Sequence, residues 1–192
     1  MKQRLIVGIS GASGVIYGIR LLEALRQRGD VETHLVLTKA AERTIAEETD
    51  WKTDDVKALA SVVHSPADIG ASIASGSFQT MGMVVLPCSI NSVASIAYCQ
   101  ADNLLTRAAD VMLKERRKLV LVVRETPFHR GHLKAMLEAT EAGAIIMPPI
   151  PAFYGRPKTI DDIVNHTVGR VLDLFEIEHE LLKRWGEPTA GE

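Results

Sequence analysis

Cysteine is scarce in this chain, and features that define several other protein classes are missing. Two cysteines occur among 192 residues, Cys88 and Cys99, which excludes a disulfide framework, and they do not have the spacing of a metal site. We expect both to be small buried residues and not reactive thiols. No apolar run is long enough to cross a membrane, and the run from Leu5 to Ile9 is too short for a secretory signal. The sequence therefore predicts a cytoplasmic protein with no membrane partner.

An excess of charge is also missing. The formal net charge is -2, and the dense basic cluster from Lys114 to Lys118 is typical of a solvated helix end, so no nucleic-acid partner is expected. His129 and His132 have no third ligand nearby in the sequence, and we predict no metal site.

Hydrophobic residues make up 46% of the chain. This composition predicts one domain over residues 1–185, followed by a flexible tail over 186–192.

Short apolar runs alternate with segments of helical period along the chain. The pattern predicts strands over residues 4–9, 32–38, 81–86, 119–123 and 144–147. It predicts helices over residues 15–28, 39–48, 54–63, 102–117, 131–142 and 159–183. This alternation is typical of a parallel sheet covered by helices. We therefore predict a three-layer, Rossmann-like α/β fold with a mostly parallel central sheet.

The first predicted strand ends in a turn of small residues, from Ser10 to Gly14. Gly11 and Gly14 can take backbone conformations that other residues rarely adopt, and the free N–H groups at the start of the next helix attract anions. Ser10 and Ser13 add hydroxyl donors. The glycine spacing matches neither the dinucleotide fingerprint nor the P-loop. Taken alone, the segment is compatible with a phosphate site and with an ordinary tight turn.

Other predicted strand ends carry polar groups as well, at Thr38, at residues 87–92 and at residues 149–154. Ligands of open parallel sheets bind beyond the carboxyl ends of the strands, so these groups together favour a phosphorylated ligand. Arg124 is the most informative, because a guanidinium at the end of a buried strand needs an anion to compensate it. An ion pair with Glu125 or Asp110 would provide the same compensation.

The sequence resembles the flavin prenyltransferases of the UbiX/Pad type over nearly its whole length. The resemblance rests on several blocks in the same order, which are far more specific than the glycine-rich turn alone: residues 8–14, 17–18, 48–50, 75–78, 87–89, 107–110, 113–117, 124–127, 132–133, 148–154 and 184–185. It implies a flavoprotein fold and a homo-oligomer, commonly a dodecamer. It also implies an enzyme that joins a dimethylallyl group from dimethylallyl phosphate to N5 and C6 of reduced FMN. The prenylated FMN would serve a UbiD-type decarboxylase, in many bacteria for ubiquinone synthesis.

The resemblance also implies roles for individual residues. Glu48 would work with Ser13 in proton transfer, and Glu125 would join the catalytic set with Lys114 and Arg124. Tyr154 and Arg170, with Lys114 beside them, would bind the phosphate of dimethylallyl phosphate, and Trp185 would lie against the allyl group. The FMN-binding residues would be Gly11, Ala12, Ser13, Thr38, Ser89, Ile90, Asn91, Ser92 and Arg124. Without the resemblance, Lys114 and Arg170 would be interpreted as exposed helix charges, and Tyr154 and Trp185 as packing residues.

The chain departs from the family pattern at three places. Asn91-Ser92 stands where relatives often have Lys or Gly followed by Thr, Thr38 where many have Ser, and Val123 where a Pro is common. We expect these departures to affect flavin affinity and not the reaction.

Two other functions compete with prenyl transfer. FMN-dependent decarboxylases of the peptidyl-cysteine or phosphopantothenoylcysteine type carry a Pro-x-Met-Asn-x-x-Met run, whereas this chain has a different run over residues 87–93. A catalytically silent flavin-binding protein could lack Lys114, Glu48 or Arg170, and all three are present.

Overall fold

A sheet of six parallel strands forms the centre of the protein. The structure, a computed structural model, describes residues 3–186. The predicted tail over 186–192 lies outside this range except for Gly186. In chain order the strands are β1 (Gln3–Ile9), β2 (Val31–Leu37), β3 (Val62–His64), β4 (Met83–Ser89), β5 (Leu119–Arg124) and β6 (Ile145–Ile146). They are arranged in the order β3-β2-β1-β4-β5-β6, and every neighbouring pair is parallel, which confirms the predicted fold class.

Helices connect the strands in the described part of the chain. They are α1 (Val15–Arg28), α2 (Lys39–Glu48), α3 (Thr53–Leu59), α4 (Ile90–Ala97), α5 (Leu104–Lys114), α6 (Arg130–Glu141) and α7 (Ile160–Leu174). Local signals fix several of their ends: Gly29 ends α1 in a left-handed conformation, and capping boxes begin α5 at Asn103 and α7 at Thr159. No helix within residues 3–186 is long and apolar enough to span a membrane.

The helices cover both faces of the sheet, because side chains alternate between the two faces along each strand. Leu5, Val7 and Ile9 of β1 pack into a core that includes residues of α1, α2, α3 and α7. Ile6 of β1 packs on the other face, in a core that includes residues of α4, α5 and α6. The sheet therefore lies between α5 and α7.

The strand order reverses next to β1. Strands β2 and β3 lie on one side of β1, and β4, which follows them in the chain, lies on the other side of β1. At such a reversal the connections leave in opposite directions, which opens a crevice beyond the carboxyl ends of the two strands. The segments that begin at Ser10 and Ser89 lie at this crevice.

Three predicted helices extend too far, and two elements, β3 and α4, were not predicted. The predicted helix over 54–63 ends at Leu59, and residues 62–64 instead form β3 because they pair with β2. Helix α4 was not predicted; Ser89 caps it directly after β4. The helices predicted over 102–117 and 159–183 end earlier, at Lys114 and Leu174, because the chain turns into a left-handed conformation just beyond each end.

The two cysteines differ in environment. Cys88 is fully buried, as expected, and burial raises the pKa of its thiol well above the usual range. Cys99 is exposed, contrary to the prediction. It lies just beyond α4 with a φ of 57°, in the turn that ends this helix.

Candidate active site

A carboxylate lies against the glycine-rich turn. Gly14 precedes α1 with a φ of 95°, a left-handed conformation that glycine adopts without strain. Its N–H donates a hydrogen bond to Oε2 of Glu48 at 2.8 Å. Glu48 is the last residue of α2, so this contact ties the end of α2 to the turn. Ser13 is the neighbour of Gly14 in the chain, and the structure therefore brings the predicted pair of Glu48 and Ser13 to one place.

Gly11 approaches the start of α2 closely. A Cβ atom at Gly11 would lie 2.4 Å from the Cβ of Ala40, far inside normal contact distance. The hydroxyl of Thr44 is 3.3 Å from the carbonyl oxygen of Gly11 and donates to it. Thr38 caps the same end of α2 by accepting a hydrogen bond from the N–H of Ala41 at 3.2 Å. The predicted residues Gly11 and Thr38 thus share one site.

Ser10 connects the turn to β4. Its side chain is buried, and its Oγ donates to the carbonyl oxygen of Pro87 at 2.8 Å. The same Oγ accepts a hydrogen bond from the N–H of Ser89 at 2.8 Å. Because its single hydroxyl hydrogen is used within the protein, the expectation that Ser10 is a donor for a ligand is wrong. Ser10 instead holds the ends of β1 and β4 together.

Three helices begin around the crevice, each after a strand of the central sheet. Helices α1, α2 and α4 follow β1, β2 and β4, which are neighbours in the sheet. Ser89 caps α4: its Oγ accepts from the N–H of Ser92 at 3.2 Å and lies 2.9 Å from the Oγ of Ser92. The N–H groups of the first helical turns, including those of Ile90 and Asn91, have no partner inside the helix. Together with the helix dipoles they form a positive environment that suits a phosphate.

Arg124 adds a full positive charge beside these helix ends. It is the last residue of β5, and it pairs in register with Ser89 of β4. The rest of β5 is buried, as expected, whereas the side chain of Arg124 is exposed, so burial does not by itself require an anion beside it. The two carboxylates considered as partners bind elsewhere: Asp110 pairs with Arg107 at 2.7 Å, and Glu125 accepts a hydrogen bond from the N–H of Thr126 at 3.0 Å. The ends of β1, β4 and β5 therefore offer N–H groups, hydroxyls and one guanidinium, a donor set that fits the phosphate of FMN.

The predicted aromatic residues, Tyr154 and Trp185, form a second cluster that contacts α7 through His166 and is called the α7 cluster below. The hydroxyl of Tyr154 lies 3.0 Å from Nε2 of His166, and the two rings meet edge to face. Trp185 packs against Tyr154 from another side, with ring centroids 5.4 Å apart and planes at 85°. Arg170 follows His166 by one helical turn, on the same side of α7. The structure thus places Tyr154, Trp185 and Arg170 in one neighbourhood, as predicted.

Asp173 organises the positive charges of this cluster. Its carboxylate accepts hydrogen bonds from Arg170 at 2.8 Å, from Arg184 at 2.8 Å and from His179 at 3.1 Å. Burial alone would raise the pKa of Asp173, but the hydrogen bonds from Arg184, His179 and Arg170 outweigh it and lower the pKa below its usual value. Asp173 therefore stays ionised and holds Arg170 in place.

Lys114 is not beside Tyr154 or Arg170 within one chain, so its predicted place next to them stays a prediction that requires contact between subunits. It ends α5, which packs on the opposite face of the sheet from α7. Its ammonium pairs with the neighbouring Glu115, whose pKa is lowered by this hydrogen bond. The end of α5 leads into β5 at Leu119, so Lys114 also lies at the amino edge of the sheet, away from the crevice.

Sequence reasoning missed His166 and Asp173. Both lie on the predicted C-terminal helix, and the i, i+4 spacing of Asp162, His166 and Arg170 was the available signal. No group of three or more His, Cys, Asp or Glu side chains that could hold a metal ion occurs within residues 3–186. His129 instead caps α6 by accepting from the N–H of Gly131.

Known proteins share both the sequence and the fold. A family model described as Flavoprotein matches residues 1–172. The flavin prenyltransferase UbiX of Escherichia coli (strain K12) is 60% identical over 185 residues, which cover 95% of this chain and 98% of the relative. A crystal structure of AnUbiX in complex with FMN and dimethylallyl pyrophosphate is 49% identical with a TM-score of 0.95, and the match covers 98% of this chain and 100% of that one.

A second solved structure, a dodecameric FMN-dependent UbiX-like decarboxylase from Escherichia coli O157:H7, is 52% identical with a TM-score of 0.94. That match covers 96% of this chain and 100% of the other chain. The similarity thus extends over almost the full length, through both the crevice and the α7 cluster. The chain belongs to the flavoprotein family and, within it, to the flavin prenyltransferases of the UbiX type.

Proposed function

We propose that this chain is a flavin prenyltransferase that joins the dimethylallyl group of dimethylallyl phosphate to N5 and C6 of reduced FMN. The observation that carries the proposal is the crevice at β1 and β4, where three helix N-termini and Arg124 face a phosphate site next to the carboxylate of Glu48. Family membership and the AnUbiX complex with FMN and dimethylallyl pyrophosphate support the same substrates.

FMN is the substrate that the crevice holds. Gly11, Ala12 and Ser13 supply backbone N–H groups, and Thr38 supplies a hydroxyl whose oxygen caps α2 and whose hydrogen would be donated to the phosphate. Residues 89–92 add the start of α4, and Arg124 neutralises the phosphate charge. Reduced flavin supplies the nucleophilic ring atoms to which the dimethylallyl carbons bond. The protein fixes the orientation of the ring and excludes competing chemistry.

The α7 cluster and Lys114 bind the second substrate. Loss of phosphate from the allylic carbon leaves negative charge on the departing group, and fixed cations stabilise it without a metal. The Arg170 guanidinium donates two hydrogen bonds to phosphate oxygens, the Tyr154 hydroxyl donates one, and Lys114 adds a point charge. The face of Trp185 favours the positive charge that develops on the allyl group.

These groups meet only if subunits cooperate. Lys114 and Arg170 lie on opposite faces of the sheet, so one chain alone does not assemble the set. A homo-oligomer, a dodecamer as in the UbiX-like relative, would bring Lys114 of one subunit to the cluster of another.

Glu48 is the base for the last step. When the second bond to the flavin ring closes, a ring proton has to leave, and a carboxylate within reach accepts it directly or through the Ser13 hydroxyl. The hydrogen bond from Gly14 holds Glu48 at the turn without consuming its second oxygen. Glu125, next to Arg124, is a further member of the proposed catalytic set.

The cellular role follows from the product. We place the enzyme in the cytoplasm as one flavin-binding domain over residues 1–185. There it would supply prenylated FMN to a UbiD-type decarboxylase, in ubiquinone synthesis.

One incubation tests the proposal. The purified protein is mixed under anaerobic conditions with reduced FMN and dimethylallyl phosphate. The flavin is then extracted and its mass is measured by mass spectrometry. We expect a flavin with the added mass of one dimethylallyl group, formed equally well in excess chelator. Unmodified FMN, or turnover that requires added magnesium, would contradict the proposal. Parallel incubations with riboflavin and with dimethylallyl pyrophosphate test whether the flavin phosphate and the monophosphate leaving group are required.

A further inference from the structure

His166 holds the hydroxyl of Tyr154 in a defined position. The Nε2 atom lies 3.0 Å from the phenolic oxygen, and the rings meet edge to face with centroids 5.6 Å apart. Trp185 packs on Tyr154 at the same time, so the phenol ring is fixed by contacts on two sides. A tyrosine that is 43% exposed would otherwise lose little by rotating into solvent.

The surroundings of His166 favour its neutral form. Burial and the positive charge of Arg170 lower the pKa of His166, and the carboxylate of Asp173 opposes this shift only in part. Its ring also lines a cavity of about 400 Å³ whose charged groups are Arg156, Lys158, Asp162, Glu180 and Lys183. A neutral imidazole carries one N–H, and the tautomer decides whether Nε2 donates or accepts.

The two tautomers have opposite consequences for phosphate binding. If Nε2 accepted the Tyr154 hydrogen, the phenol would have no donor left for a phosphate oxygen. If Nε2 carries the hydrogen, it donates to the phenolic oxygen and leaves the Tyr154 O–H free to point at the substrate. A donor on the phenolic oxygen also polarises the O–H group and strengthens the bond that it donates.

We propose that His166 is a positioning residue, which donates from Nε2–H to the oxygen of Tyr154 and so directs the Tyr154 hydroxyl at the leaving phosphate of the allylic substrate. This inference rests on the proposed function, in which Tyr154 contacts that phosphate. It assigns a role to a side chain that does not itself touch substrate. It also explains why the residue one helical turn before Arg170 on α7 is a hydrogen-bonding residue in contact with Tyr154.

The test uses a double-mutant cycle in the full chain with FMN bound. His166→Phe removes the donor and keeps a ring, His166→Gln keeps an N–H close to the position of Nε2, and Tyr154→Phe removes the hydroxyl. Affinity for dimethylallyl phosphate is measured by calorimetry on the protein loaded with oxidised FMN, and KM and kcat are measured with reduced FMN. Flavin affinity and thermal unfolding of each variant report whether the fold is intact.

We expect His166→Phe to weaken dimethylallyl phosphate binding about three- to tenfold, the effect of one hydrogen bond, and to raise KM more than it lowers kcat. His166→Gln should recover most of the affinity. In the Tyr154→Phe background, His166→Phe should have no further effect, because the group that it positions is gone. Flavin affinity should stay unchanged in all variants.

The proposal would be overturned if His166→Phe weakened dimethylallyl phosphate binding by the same factor with and without the Tyr154 hydroxyl. It would also be overturned if His166→Gln did not restore this affinity in a protein with a normal melting temperature. If the proposed function itself were wrong, the wild-type protein would leave FMN unmodified. That result would contradict both the proposed function and the role of His166.

Discussion

Single residues in the crevice mostly act through contacts with the chain itself. The Ser10 hydroxyl bridges β1 and β4, and the hydroxyls of Thr38 and Ser89 cap α2 and α4. These contacts set the positions of the backbone N–H groups in the first helical turns, which have no carbonyl partner within their own helix. Glu48 is different, because Gly14 holds one of its oxygens and the other has no hydrogen-bond partner within residues 3–186, as its proposed role of proton acceptor requires.

Glu48→Gln separates the two bond-forming steps. Glutamine keeps the size of the side chain but does not accept a proton, so the first bond should form and ring closure should stall. We expect a flavin with the mass of one added dimethylallyl group to accumulate with an absorption spectrum different from that of the product. Mass spectrometry and spectroscopy of the extracted flavin measure this.

Glu47→Gln is the matched control for that variant, since Glu47 is the neighbouring residue on α2 and pairs with Arg43 on the surface. It should turn over like wild type. If Glu48→Gln yields finished product at the normal rate, or leaves FMN untouched, Glu48 is not the late proton acceptor.

Gly11→Ala tests the close approach of the glycine-rich turn to α2. The new Cβ would lie 2.4 Å from the Cβ of Ala40, so the turn has to move away from the helix that flanks the phosphate site. We expect a loss of about 1–3 kcal/mol in the free energy of unfolding, typical of overpacking, and weaker FMN binding. Gly70→Ala is the control, because its Cβ would meet the nearest atom, Oδ1 of Asp68, at an ordinary 3.6 Å. Unchanged FMN affinity in Gly11→Ala, measured by fluorescence titration, would contradict the assignment.

The site residues were predictable to different degrees. The glycine-rich turn, Thr38 and Arg124 stand at strand ends, and the alternation of strands and helices brings strand ends to one edge of the sheet. The partner of Ser10 is 77 residues away in the chain, and no local pattern specifies such a contact. The position of Lys114 on the face opposite α7 depends on how the whole chain winds around the sheet, which spacing along α5 does not reveal.

At the scale of secondary-structure elements, helix starts were more predictable than helix ends. Capping residues such as Asn103 and Thr159 mark the starts in the sequence. Helices α4, α5 and α7 end with residues of positive φ that are not glycine: Cys99, Arg116 and Glu176. In each case the next N–H bonds back into the last turn, as from Ile177 to the carbonyl oxygen of Leu172 in α7. Because glycine is the usual signal for this ending, the sequence pattern extended α5 and α7 too far.

Glu176→Gly should therefore stabilise the end of α7. Glu176 has a φ of 59°, a conformation that costs a residue with a Cβ about 1 kcal/mol relative to glycine. Its ion pair with Lys118 spans 3.9 Å and is largely exposed, so its loss matters little. We expect unfolding in urea to require up to about 1 kcal/mol more free energy than in wild type. The control, Glu178→Gly, replaces a glutamate nearby that does not have a positive φ; it should not stabilise the protein. Equal or lower stability of Glu176→Gly would show that this helix end carries no strain.

At the scale of the whole molecule, the sheet separates the two cations that we propose to act on the substrate phosphate. Lys114 ends a helix on one face, whereas Arg170 is held by Asp173 on a helix of the other face. If both act on one phosphate, each complete site contains residues of different subunits. Assembly is then part of catalysis and not only of stability.

Mixed oligomers of two inactive variants test this arrangement. Lys114→Ala or Arg170→Ala alone should leave bound FMN unmodified, since loss of one fixed cation removes on the order of 3 kcal/mol of transition-state stabilisation. The two variants are co-expressed in equal amounts with different affinity tags, and oligomers that carry both tags are purified. In these oligomers some sites receive Lys114 from one chain and Arg170 from another. Random assembly predicts recovery of about a quarter of wild-type turnover. The control is a mixture of two differently tagged Lys114→Ala chains, which should stay inactive. If the doubly tagged oligomers of the two variants are no more active than this control, Lys114 and Arg170 do not come together from different subunits.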